Sequence, residues 1–235
     1  LALVGTAALL PRGLGRAKAK QRFAQLLAKS RSVNVLSAAR FFLFGARDIW
    51  FVVGVPVFLA TALGWSFTEV GGFLAAWVIG YGAIQALAPA IIGRFTGGRA
   101  PQRRSAQVLA LALAAVMAAV AIGVEAGGRA DLVVLGGLAG FGVVFAINSS
   151  VHSYLILAYS EGDEVATNVG FYYMANAGGR LVGTLLSGLT YQRWGLPGCL
   201  WASVGFAAAA GALSLLLPRT ATVAVMAEVK VEGGD

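Results

Sequence analysis

Long apolar runs separated by short polar or glycine-rich turns set the pattern of this chain, at 34–63, 68–93, 106–126, 132–159, 165–191 and 198–217. Each reaches the roughly 20 residues that a helix needs to cross a bilayer. The pattern predicts an all-α membrane protein, a six-transmembrane-helix bundle over residues 34–217. Leu1 to Leu10 are apolar but too short to span; lacking an initiator Met and a basic n-region, they read as the end of a preceding transmembrane helix that begins outside this sequence. Residues 11–33 read as a basic cytoplasmic linker, with Phe23, Leu26 and Leu27 set against Arg22, Gln25 and Lys29 in the manner of a helix lying in the interface. Residues 218–235 lose hydrophobicity and read as a mobile cytoplasmic tail.

Composition supports the bilayer reading. The chain is 58% apolar and 12% charged with a mean hydropathy of +0.78, against about 45–50% and about 25% in an ordinary soluble domain. The net charge of +8 would suggest nucleic acid in a soluble protein, but its distribution excludes that partner. Arg12, Arg16, Lys18, Lys20, Arg22, Lys29 and Arg31 precede the first run, and Arg94, Arg99, Arg103 and Arg104 separate the second from the third. The opposite loops carry only Arg129 and Arg193. Positive charge marks the cytoplasmic side, so both ends are expected inside, in a bacterial inner membrane. Gly64-Trp65-Ser66, Gly127-Gly128-Arg129 and Arg193-Trp194-Gly195 are the expected external turns, and Ser160 to Glu164 an acidic internal loop. Gly136-xxx-Gly140 and Gly179-xxx-Gly183 are small-residue pairs suited to close helix contact. The single Cys199 forms no internal disulfide and supplies no soft metal site.

Polar side chains inside the runs are the candidate chemistry, because an ionised group at membrane depth costs from about 2.5 to well over 10 kcal/mol and is kept where it lines a cavity or binds something. Arg40 and Arg47 are seven residues apart, on one side of the first helix and about 10 Å apart along it. Asp48 is turned by about 100° from Arg47. Asn148, His152 and Tyr159 align in the fourth run, Tyr173, Asn176 and Arg180 in the fifth, and Tyr81 and Gln85 in the second. The third and sixth runs carry almost none. Four helices lining an aqueous path, with two outside, fit that division. For single residues blander roles compete: Arg40 near the cytoplasmic end can snorkel or anchor to lipid phosphate, Arg47 can pair with Asp48, and His152, the amides and the tyrosines can bond across helices.

The charge sum is more telling. Three arginines and one histidine face one intramembrane acid, an excess of about two positive charges that a doubly anionic substrate would balance, since guanidinium forks grip phosphate-like oxyanions. Arg40, Arg47, Arg180, His152, Asn148, Asn176, Gln85, Tyr81 and Tyr173 are therefore the expected substrate contacts. Asp48 and His152 are the candidates for proton coupling.

The loop from Gly93 to Arg104 (GRFTGGRAPQRR) resembles the Gly-x-x-x-Asp-Arg-x-Gly-Arg-Arg signature of the major facilitator superfamily, without its acidic residue. Ala39 to Asp48 (ARFFLFGARD), Trp77 to Ala86 (WVIGYGAIQA), Asn148 to Tyr154 (NSSVHSY) and Asn168 to Arg180 (NVGFYYMANAGGR) resemble the organoarsenical efflux permease family (ArsJ-type) within that superfamily, over roughly residues 11–217. The resemblance implies the C-terminal half of a transporter whose N-terminal half is its partner, each half built from inverted three-helix repeats. It also implies export of 1-arseno-3-phosphoglycerate, made when glyceraldehyde-3-phosphate dehydrogenase uses arsenate, so that dehydrogenase is the expected functional partner. No Gly-x-x-x-x-Gly-Lys-Ser/Thr phosphate loop is present; secondary transport with proton exchange is expected, with no cofactor and no metal. The rival readings are a transporter of another anionic or drug-like cargo, and a membrane enzyme or receptor. The last would need a catalytic cluster that one histidine and one mid-membrane acid do not provide.

Overall fold

The computed structural model describes residues 30–160 and 165–218, all helical apart from turns and caps. The expected interfacial stretch around Phe23, the acidic loop at 161–164 and the tail beyond Pro218 lie outside the described residues. The helices are α1 (Arg31–Phe51), α2 (Gly54–Thr61), α3 (Phe67–Thr96), α4 (Arg103–Glu125), α5 (Ala130–Ala158) and α6 (Val165–Ser214). Five segments are long and apolar enough to cross a membrane, α1 and α2 counting as one.

Local chemistry sets the boundaries. Ser30 caps α1 by accepting from the Val33 N–H at 3.3 Å. Pro56 cannot donate to the preceding turn, and the chain breaks between α1 and α2. The freed N–H groups of Val53 and Gly54 both donate to Ser187 Oγ at 3.2 Å, which supplies the partner that lipid cannot. Ser66 and Glu69 form a reciprocal capping box at the start of α3, and Gly97 ends it in the left-handed region at φ 61°.

The loop expected at Arg193-Trp194-Gly195 is a single residue. Val165–Ser214 is two helical arms that meet at Gly195, which adopts φ 64°, ψ −158°, a region essentially reserved for glycine. Pro197 opens the second arm, where its missing N–H does no harm. The arms fold back: Thr190 Oγ1 lies 3.2 Å from Cys199 Sγ.

The first arm runs alongside α1 in the same direction. A Cβ on Gly179 would fall on the Phe41 carbonyl, and one on Gly183 would lie 2.7 Å from the Gly45 carbonyl oxygen. The second arm returns down α1, with Ser203 Oγ donating to the Ala46 carbonyl, and ends where Arg103 Nη1 donates to the carbonyls of Leu215 and Leu217 at 2.9 and 3.1 Å. Gly136 and Gly140 do not make the expected close approach, since open space surrounds both; Gly137 meets Val120 of α4 instead, and Gly142 meets Trp77 of α3. So α1 rests on the two arms of α6, α5 rests on α3 and α4, and α4 touches the second arm through Leu111 and Gly211. Trp50 on Phe141 and Phe44 on Phe145, with centroids 5.2 and 5.0 Å apart, join α1 to an oppositely running α5.

Candidate functional site

Asp48 is the hinge of the polar chemistry. Its carboxylate is buried, and each oxygen takes a different guanidinium: Arg47 Nε donates to Oδ1 at 2.6 Å, and Arg180 Nε to Oδ2 at 3.2 Å. The pairing with Arg180 depends on the glycine contacts above, because only Gly179 and Gly183 let the first arm of α6 come this close to α1. Exposure divides the node sharply. The side chain of Asp48 is 2% exposed and that of Arg47 15%, while that of Arg180 is 56% exposed. Two cations share one anion, and the outer cation keeps a free edge.

Arg40 does not snorkel to the surface. It is 3% exposed, its Nη1 donates at 3.2 Å to both the carbonyl and the hydroxyl oxygen of Ser149, and its guanidinium lies 3.9 Å from the Phe44 ring and 4.9 Å from that of Tyr172. Aromatic faces replace a carboxylate here; no salt bridge forms at Arg40 among the described residues. Arg47 approaches the same Phe44 ring at 5.1 Å and Phe145 at 5.5 Å, so Phe44 stands between the two guanidiniums along α1.

Asn148 and His152 are wholly buried one turn apart on α5, and neither makes a side-chain hydrogen bond; Oδ1 of Asn176 is also without a partner. Tyr81 stacks on Trp77 at 5.7 Å and leans on Phe145 at 5.8 Å, which brings α3 to the edge of the cluster. Gln85 is only partly buried, with no hydrogen bond to either group of polar residues. Tyr173 is 51% exposed beside Tyr172. The expected contacts thus fall into an open node of Arg47, Asp48 and Arg180, and a closed layer of Arg40, Asn148 and His152.

Sequence reasoning passed over Phe44, Ser149, Tyr172 and Ser187. Tyr172 and Ser149 stood inside motifs already singled out, next to Tyr173 and Asn148, and helical spacing from Arg40 could have drawn in Phe44 at i+4. Outside the spans, Arg129 donates to Asp131 Oδ2 at 2.8 Å, a bond that raises its pKa above the ordinary value. Among the described residues no group of three His, Cys, Asp or Glu side chains could hold a metal ion. The chain matches no protein-family model and no curated protein.

Proposed function

We propose that this chain is the six-crossing C-terminal half of a major facilitator transporter that exports a doubly anionic organic phosphate or arsenate ester, in the manner of the organoarsenical efflux permeases it resembles. The observation that carries the reading is the Arg47–Asp48–Arg180 node, in which one buried carboxylate is shared by two guanidiniums and the outer one is more than half exposed. With Arg40 unpaired as well, the cluster holds about two positive charges more than it neutralises, and an oxyanion is the natural complement. The helix exchange supports the same reading: α1 packs on the two arms of α6 as α5 packs on α3 and α4, which suits two inverted three-helix repeats. Folding at Gly195 lets α6 supply the fifth and sixth crossings.

In the cycle Arg180 and Arg47 clamp the anionic ends, while Gln85 and Asn176 bond ester and hydroxyl oxygens, and rocking against the N-terminal half alternates access. An incoming anion competes with Asp48 for the guanidiniums. Proton exchange, with Asp48 as the first candidate carrier, is the coupling this reading keeps. An inside-negative potential already drives anions outward, by about 2.3 kcal/mol per charge per 100 mV. His152 remains the second coupling candidate. The protein is placed in the bacterial inner membrane with both ends of this chain cytoplasmic and lipid around it, and with the dehydrogenase as metabolic partner.

The test is arsenate resistance in cells carrying the dehydrogenase and the full-length transporter. Arg180→Gln at normal expression is expected to abolish resistance. Undiminished resistance would remove Arg180 from the substrate role and the reading with it.

A further inference from the structure

The closed layer is chemically unfinished. Ser37, Arg40, Asn148, Ser149, His152 and Asn168 are each 3% exposed or less. Yet Ser37 Oγ, Arg40 Nε, both polar atoms of Asn148, both ring nitrogens of His152 and Asn168 Oδ1 have no hydrogen-bond partner. Each such group costs about 1–3 kcal/mol, which is too much for packing alone at so many neighbouring positions. The neighbours converge because the register between α1 and α5 is fixed: Trp50 meets Phe141, Phe44 meets Phe145 and Arg40 meets Ser149. Asn148 and His152 continue the Phe141–Phe145 stripe at helical spacing, so they meet α1 beside Arg40. Ser149 occupies Nη1 of Arg40 and leaves its Nε, part of the edge that grips oxyanions, without an acceptor.

We propose that this layer is an inner oxyanion station, in which Arg40 Nε, Asn148 Nδ2 and one N–H of His152 donate to a single phosphate-like group on the cytoplasmic side of the Arg47–Asp48–Arg180 node. Phe44, within cation–π reach of both guanidiniums, is the partition between the two stations. An exported anion meets Arg40 first, then passes the ring to Arg47 and Arg180. This rests on the transporter reading and adds to it a second, occluded stop with its own residues.

Calorimetry with inorganic phosphate on the purified full-length transporter separates the two ideas. The wild type is expected to bind two phosphates, Arg180→Gln to lose one of them, and Asn148→Leu to lose the other or bind it about tenfold more weakly. If the layer is empty, Asn148→Leu replaces unsatisfied polar atoms with an apolar group of similar size. It then raises thermal stability and leaves phosphate binding as in the wild type, and that result overturns the inner station. His152→Leu gives a second reading of the same kind should Asn148→Leu fail to fold. Phosphate binding and efflux both unchanged in Arg180→Gln would defeat the transporter reading, whatever the Asn148 variant does.

Discussion

The two groups of cations along the apolar helices differ in how they are neutralised. At the outer node charge meets charge, and the shortage is in anions, because Asp48 serves both Arg47 and Arg180. In the inner layer no acid pairs with Arg40 among the described residues; Arg40 rests on the rings of Phe44 and Tyr172 and on the oxygens of Ser149. The difference teaches that burial and pairing are separate devices. The node can trade its carboxylate for a ligand and remain balanced, whereas the layer needs a ligand to become balanced at all.

Removing the shared carboxylate is the harshest way to break that contrast. Asp48→Ala leaves Arg47 buried beside a second unpaired cation, and about 3 kcal/mol of stability is expected to go. Denaturation of the full-length protein in detergent measures it, and Asp48→Asn, which keeps a hydrogen-bonding oxygen, should lose less. In binding the order reverses, since Asp48→Asn frees both guanidiniums and is expected to hold phosphate more tightly than wild type.

Next in size is a change that touches only the helix contact. A Cβ on Gly183 would lie 2.7 Å from the Gly45 carbonyl and 3.0 Å from the Asp48 Cβ, so Gly183→Ala should push α1 from α6 and cost about 1–3 kcal/mol. Gly188, with open space around it, is the control, and Gly188→Ala should be neutral. Because Arg40 is tied to α5, the inner layer should keep its phosphate in Gly183→Ala while the outer one weakens. Smallest is Ser149→Ala, which removes one of two acceptors of Arg40 Nη1 but leaves the carbonyl, and should cost about 1 kcal/mol in melting measurements while sparing the outer site.

Much of this was legible in the sequence. Apolar length located the helices long enough to cross a membrane, and the polar positions of Arg47, Asp48 and Arg180 inside apolar runs marked them as candidates. What the sequence left open was which oxygen of Asp48 meets which arginine, because that depends on the tight approach of Gly179 and Gly183 to α1. For Arg40 a related reason decides against the competing snorkelling role. Its place near a helix end suggested snorkelling, but the register set by Trp50 on Phe141 carries it inward onto Ser149. The Gly136 and Gly140 pair shows the same limit, as small residues at four-residue spacing do not say which face another helix covers. At Gly195 a lone glycine does the work for which a loop was expected, since ψ near −158° allows the reversal without further residues.

The decisive experiment uses everted membrane vesicles containing the full-length transporter, with the dehydrogenase, glyceraldehyde-3-phosphate, its cofactor and arsenate supplied outside. Wild-type vesicles should accumulate the arsenate ester, and Arg180→Gln vesicles should do so at least about tenfold more slowly, the loss of about 1.4 kcal/mol of anion binding. Equal accumulation by both would mean that the exposed guanidinium beside Asp48 holds no cargo.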